Sequence, residues 1–210
     1  MIAEIEQTAV GPDMGVVMTG LQVDGWAVVP HFVPEAEVSV LVAECREEWH
    51  EGAFHQAKIG QGVQQKLHSE QRQDYICWLD EGRLTAAQAR YWGQLEGMRT
   101  AVNQTFFAGL FSWEAHFAIY PPEARYQKHL DQFRGDDTRL LTVILYLNEG
   151  WTADDGGQLR LYLEDDGYVD VVPSGGTLVA FWSARFYHEV LPARRERMSI
   201  TGWGRRRSGF

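Results

Sequence analysis

The spacing of apolar side chains changes character near residue 110. Before that point the clearest runs have helical period. Val38, Leu41, Val42 and Cys45 recur three and four residues apart behind Pro34 and Glu35, which predicts a helix from about Val33 to Trp49. Ala89, Trp92, Leu95 and Met98 do the same behind Thr85, a candidate N-cap, and predict a helix over about 85–106. Short strands are expected at Gly25–Pro30 and Asp74–Leu79. Residues 55–73 are polar and Gln-rich and follow neither period, so they read as a long loop, and long loops in compact domains are often functional. After Ser112 strand-like runs take over, at 113–120, 125–131, 139–147, 158–163, 168–172, 177–182, 186–191 and 197–204. Turn signals such as Pro121-Pro122, Asp165-Asp166-Gly167 and Ser174-Gly175-Gly176 separate them.

Two helices followed by about eight short strands predict an α+β layout, with the helices packed on one face of a sandwich, barrel or jelly roll. With no Pro/Ser-rich joint and no fixed-period repeat, 1–210 reads as a single domain: helical support to about residue 110 and a β core from about 111 to 210. Composition agrees, with 45% hydrophobic and 23% charged residues. Cys45 and Cys77 are the only cysteines, so a disulfide framework or a zinc ribbon is not expected. The acidic start MIAEIEQTAVG lacks a basic segment leading into an apolar one, and no apolar run approaches the length of a membrane span. A soluble, cytoplasmic, monomeric protein is the expectation.

Charge narrows the partners. The net charge is −10, yet residues 181–210 carry seven Arg against two Glu, which leaves −15 on the first 180 residues. That balance argues against nucleic acid and anionic membranes as partners. The late arginines need a separate reason.

Of seven histidines, His129 and His188 stand apart. His129-Leu130-Asp131 lies in a strand-like run, where residues two apart share a face, so an imidazole and a carboxylate should project together with Leu130 turned to the core. His188 lies in a second β run, Phe186–Val190. Two imidazoles and one carboxylate form the facial triad of non-haem Fe(II) oxygenases. His116 reads as a partly buried, satisfied residue. Arg197 opens a strand whose alternate residues face one side, and an inward arginine there demands an anion. A bidentate guanidinium suits a carboxylate, and the distal carboxylate of 2-oxoglutarate is the obvious one. Arg194, Arg195 and Arg205–Arg207 read as surface.

With these residues in place, the stretch from about Asp74 to Trp203 resembles the prolyl hydroxylase domain family of Fe(II)/2-oxoglutarate dioxygenases. The match is carried by Arg72-Gln73-Asp74-Tyr75-Ile76-Cys77-Trp78, by Tyr120-Pro121 with Tyr126–Asp131, by Leu145–Asn148 with Trp151 and Gly156–Arg160, and by Phe181–Ser183, His188–Val190 and Arg197–Trp203. The resemblance implies a double-stranded β-helix (jelly roll) core. It implies His129, Asp131 and His188 as iron ligands, Arg197, Tyr146 and Tyr120 as 2-oxoglutarate contacts, and Trp203 as an aromatic wall beside the metal. Asp74 and Arg139 would lie around the substrate entrance, under a lid formed by 55–73. The implied activity is protein prolyl 4-hydroxylation with release of succinate and CO2. It needs Fe(II), 2-oxoglutarate and O2, with ascorbate as an accessory reductant. If the source is bacterial, the resemblance suggests the switch loop of elongation factor Tu as the protein partner. Spacing departs by one residue on each side of the His129–Asp131 segment, so peptide preference transfers least.

Three other readings share some of these features. A nucleic-acid demethylase usually places a second arginine six residues after the first, where this chain has Trp203. A hydroxylase of a free amino acid or other small molecule would use the same catalytic residues and differ at the entrance. A non-enzymatic jelly-roll binding module would need neither the triad nor Arg197.

Overall fold

The computed structural model describes residues 13–58, 68, 70–132 and 137–207. The first helix, α1 (Met14–Val23), has no counterpart in the sequence expectations. Its run GVVMTGLQV mixes two glycines with β-branched residues, a poor helical signal. Asp13 caps it by accepting from the Val16 N–H at 3.2 Å, and only Val17 and Leu21 are buried. Packing decides this helix. A Cβ on Gly20 would stand 2.7 Å from the Trp26 carbonyl, so the helix lies directly against β1 (Trp26–Val29).

The two anticipated helices form. In α2 (Glu35–His50), Glu35 and Glu37 sit in the first turn, where the helix dipole favours acids, and Val38, Leu41 and Cys45 face inward. Helix α3 (Ala86–Phe106) begins with a reciprocal capping box: Thr85 accepts from the Gln88 N–H, and Gln88 accepts from the Thr85 N–H. The chain leaves it through Phe107 in the left-handed region, at φ 53°.

The remaining strands are β2 (His55–Gln56), β3 (Tyr75–Trp78), β4 (Leu110–Tyr120), β5 (Tyr126–His129), β6 (Arg139–Tyr146), β7 (Leu159–Tyr162), β8 (Tyr168–Val171), β9 (Leu178–Trp182), β10 (His188–Val190) and β11 (Arg197–Arg206). They make two antiparallel sheets, a seven-stranded one in the order β1-β9-β6-β11-β4-β3-β2 and a four-stranded one in the order β5-β10-β7-β8. This is the jelly-roll arrangement, with helices on one side. Within the presumed loop, His55–Gln56 adds a short edge strand to β3; residues 59–67 and 69 lie outside the described residues.

Strand alternation divides the interior. From β4, β6, β9 and β11, residues such as Phe117, Val143, Leu178 and Ile200 join the helices in one core. Their neighbours Tyr120, Tyr146, Phe181 and Val179 face the small sheet in a second core. The period-2 rule places Arg197, Ser199, Thr201 and Trp203 of β11 on that second side. Polar side chains on this inner face are where the chemistry collects.

Strand β5 stops at His129, two residues short of expectation. Asp131 therefore sits in a bend outside both ladders, and half-buried Leu130 lines the pocket instead of filling the core. The late arginines are also resolved. Arg205 pairs with Glu114 and donates to Thr138, Arg206 pairs with Asp137, and Arg207 lies over the exposed Phe111 ring. The acidic surface is thus locally neutralised at the end of β11.

Candidate active site

His129 and His188 are direct partners in the register between β5 and β10, which brings their rings to 4.2 Å between centroids. Each Nδ1–H donates to a backbone carbonyl two residues upstream, His129 to Gln127 at 2.8 Å and His188 to Phe186 at 3.2 Å. A carbonyl can only accept, so Nδ1 carries a proton in both rings, and Nε2 is the nitrogen left to serve a metal. Both Nε2 atoms face Asp131, at 3.6 Å and 3.5 Å, and the ligating atoms of the three residues lie within 4.8 Å of one another. Tyr126 stacks on His129 at 3.5 Å, and Phe181 packs on His188.

The electrostatics favour a cation. Burial pushes the Asp131 carboxyl upward, but the positive charge that His188 and His129 carry when protonated, with the Arg139 guanidinium, outweighs it and holds the group well below the usual carboxylate range. Burial and the neighbouring His129 push His188 down to about 4, so its imidazole is neutral and available as a ligand near neutral pH. Two imidazoles and one carboxylate on one side of a cavity fit Fe(II) with positions left open.

Arg197 heads the same cavity. It is 2% exposed, its Nε donates to the Gly157 carbonyl at 2.9 Å, and its Nη2 has no partner. The Tyr120 and Tyr146 rings flank it, each centroid 5.1 Å from Cζ. The Tyr146 hydroxyl and Ser199 Oγ are likewise buried without partners. Burial raises Tyr146 to about 12 despite Arg197, so the phenol keeps its proton and can donate. An unmatched guanidinium beside unmatched hydroxyls is the complement of a buried carboxylate, and it fits the distal end of 2-oxoglutarate.

The same cavity is also lined by Arg72, Arg139, His116, Trp203 and Lys58. Arg139 lies over Trp203 at 3.6 Å and donates to Glu114 at 2.7 Å. Asp74 behaves differently from its expected place at the entrance. It is fully buried, and both its oxygens are committed to Arg72, at 2.7 and 2.9 Å; Arg72 is the member of the pair that reaches the cavity and lies over Tyr126. His116 is buried too, and unsatisfied. Its Nδ1–H donates to the Phe117 carbonyl at 3.1 Å, while Nε2 has no partner between the rings of Trp78 and Trp203. Sequence reasoning assigned no site role to Arg72, His116, Thr142, Ser183 or Ser199. Counting two-residue steps from Arg197 and Tyr146 finds Ser199 and Thr142, polar residues on the inner face of apolar strands.

The 2OG-Fe(II) oxygenase superfamily model matches residues 115–205, which span β4 to β11 and include the triad and Arg197. A prolyl-4-hydroxylase structure from Pseudomonas putida is 45% identical with a TM-score of 0.85, covering 93% of this chain and all of that one. A Trichoplax adhaerens prolyl hydroxylase, solved with a hypoxia inducible factor oxygen degradation domain peptide fragment, is 26% identical with a TM-score of 0.79, covering 90% of this chain and 87% of that one. The hypoxia-inducible factor prolyl hydroxylase of Caenorhabditis elegans is 34% identical over 198 residues, which are 89% of this chain and 27% of the worm protein. The chain thus spans about a quarter of that curated relative's length. This chain belongs to the 2OG-Fe(II) oxygenase superfamily, among its prolyl hydroxylases.

Proposed function

We infer that the protein hydroxylates a prolyl residue of a protein substrate, as a prolyl 4-hydroxylase. The carrying observation is the coexistence, in one cavity, of the His129–Asp131–His188 donor set and the buried Arg197, whose Nη2 has no partner and whose guanidinium is flanked by Tyr146. His129, Asp131 and His188 would hold Fe(II), and Arg197, Tyr146 and Ser199 would hold the far carboxylate of 2-oxoglutarate. Bound together, these groups and O2 supply the oxidising chemistry that yields succinate, CO2 and a hydroxylated C–H.

The chain's own share is placement. The Nδ1–H bonds present both Nε2 atoms inward, Tyr126 and Phe181 fix the ring planes, and burial of Arg197 makes cosubstrate binding strong and dry. The Trp203–Arg139 stack and Arg72 form the rim against which a peptide would lie. A prolyl ring is apolar and lacks an N–H, so a wall of aromatic rings suits it. The kinship with a bacterial prolyl-4-hydroxylase makes elongation factor Tu the first partner to test. A cytoplasmic, monomeric enzyme with ascorbate as accessory reductant completes the proposal.

The test is tandem mass spectrometry of purified elongation factor Tu and of lysate proteins after incubation with enzyme, Fe(II), 2-oxoglutarate and ascorbate, with His129→Ala as the blank. An added oxygen atom on a proline, absent from the blank, is expected. Succinate formation driven by a free amino acid, with no oxygen added to any protein proline, would overturn the protein-substrate reading.

A further inference from the structure

Asp131 is the triad member that no strand holds. His129 and His188 belong to paired strands, whereas Asp131 lies in a bend past β5. Its carboxylate is nevertheless anchored. Oδ2 stands 2.8 Å from Thr142 Oγ1, and Thr142 Oγ1 stands 2.8 Å from Ser183 Oγ. An ionised carboxylate has no proton to give, so Thr142 must donate to Asp131. Thr142 has one proton, so Ser183 must donate to Thr142. The direction of both bonds follows from the charge.

Both hydroxyls are fully buried. Thr142 is on β6, which is paired on one side with β9 and on the other with β11, opposite Phe181 and Trp203. Ser183 is tied by its N–H to the Leu140 carbonyl at 2.9 Å. The large sheet thus reaches across the cavity to grip a ligand that the small sheet leaves free.

We propose that Thr142, supported by Ser183, is a positioning residue that pre-orients the Asp131 carboxylate for the metal and leaves Oδ1 as the oxygen without a hydroxyl partner. This rests on reading the triad as a metal centre. Hydrogen bonds to metal-ligating carboxylates typically change metal affinity by about 10–100-fold.

The experiment is anaerobic titration of the protein with Co(II), following visible absorption, for wild type, Thr142→Val, Thr142→Ser, Ser183→Ala and His129→Ala. Circular dichroism confirms folding of each. Valine keeps the shape of threonine and removes the proton, so a role in packing alone would leave affinity unmoved. Thr142→Val should weaken Co(II) binding by about tenfold or more and alter the visible band shape, and Thr142→Ser should restore affinity to within a few-fold. Ser183→Ala should have the smaller effect, because the Thr142–Asp131 bond survives it. Unchanged affinity and spectrum in Thr142→Val, or Thr142→Ser as weak as Thr142→Val, would overturn the proposal while leaving the metal centre intact. Co(II) binding that persists in His129→Ala would instead overturn the metal-centre reading, and the proposal with it.

Discussion

Arg197→Met separates fold stability from cosubstrate binding. The Arg197 guanidinium is buried, its Nε donates to the Gly157 carbonyl, and its Nη2 has no partner. Methionine can occupy similar space without a charge, so removing the arginine breaks no ion pair within the unliganded fold. With 2-oxoglutarate the account reverses, because a buried carboxylate then loses its counter-charge. Truncating one partner of such a pair costs about 3 kcal/mol, or about 150-fold in affinity. At a cosubstrate concentration of about 100 times the wild-type Kd, the wild type gains about 2.7 kcal/mol, whereas the variant, at about 0.7 times its own Kd, gains about 0.3 kcal/mol. For a domain of this size that predicts a wild-type melting shift of about 5–11 °C against about 1 °C in the variant. Differential scanning fluorimetry with Mn(II), with and without 2-oxoglutarate, measures both. A variant that keeps the wild-type shift refutes the assignment of Arg197 as the carboxylate anchor.

Three other outcomes follow from the same geometry. Burial, then Arg72 and Arg139, push His116 from an ordinary 6.5 down to about 3, so in that interval the unfolded chain binds a proton that the folded one does not. Stability should therefore fall as pH drops through that window, by about 1.4 kcal/mol per pH unit from this group, and His116→Met should flatten urea-denaturation stability across it; an unchanged slope counts against a neutral His116. Asp74→Ala strands the Arg72 guanidinium and should lower unfolding free energy by about 3 kcal/mol, and Arg72→Met with Asp74→Leu should recover most of it; equal losses in the single and double variants would show that the ion pair is not the cause. Gly157 has φ +70°, and a Cβ there would meet Arg197 Cδ at 3.1 Å and Ala193 Cβ at 3.0 Å, so Gly157→Ala should weaken 2-oxoglutarate binding about tenfold or more without changing Co(II) affinity; isothermal titration separates the two.

Much of the site was legible because the chemistry is rare and the spacing local. Two histidines and an aspartate in β runs, with an arginine nine residues after the second histidine, have few structural explanations, whereas Tyr120, Tyr146 and Trp203 were implied by the resemblance to the prolyl hydroxylase family. Helices α2 and α3 were legible because their caps and apolar periods are local. Helix α1 was not, because its residues disfavour a helix until Gly20 can close on β1. The strand assigned to Asp131 failed for a related reason: β5 has a partner as far as His129, and strand propensity without a partner makes no ladder.

The sequence by itself determined which residues could act, since side-chain chemistry and two- or four-residue spacing travel with the chain. Only the tertiary structure decided how they act together. It buried Asp74 against Arg72 and left His116 Nε2 and Arg197 Nη2 unmatched. It also brought Thr142, backed by Ser183 41 residues away, onto the carboxylate of Asp131. The Thr142–Asp131 contact joins a strand of the large sheet to the bend that follows β5 of the small one, and its geometry depends on how the two sheets close on each other, which no local spacing encodes.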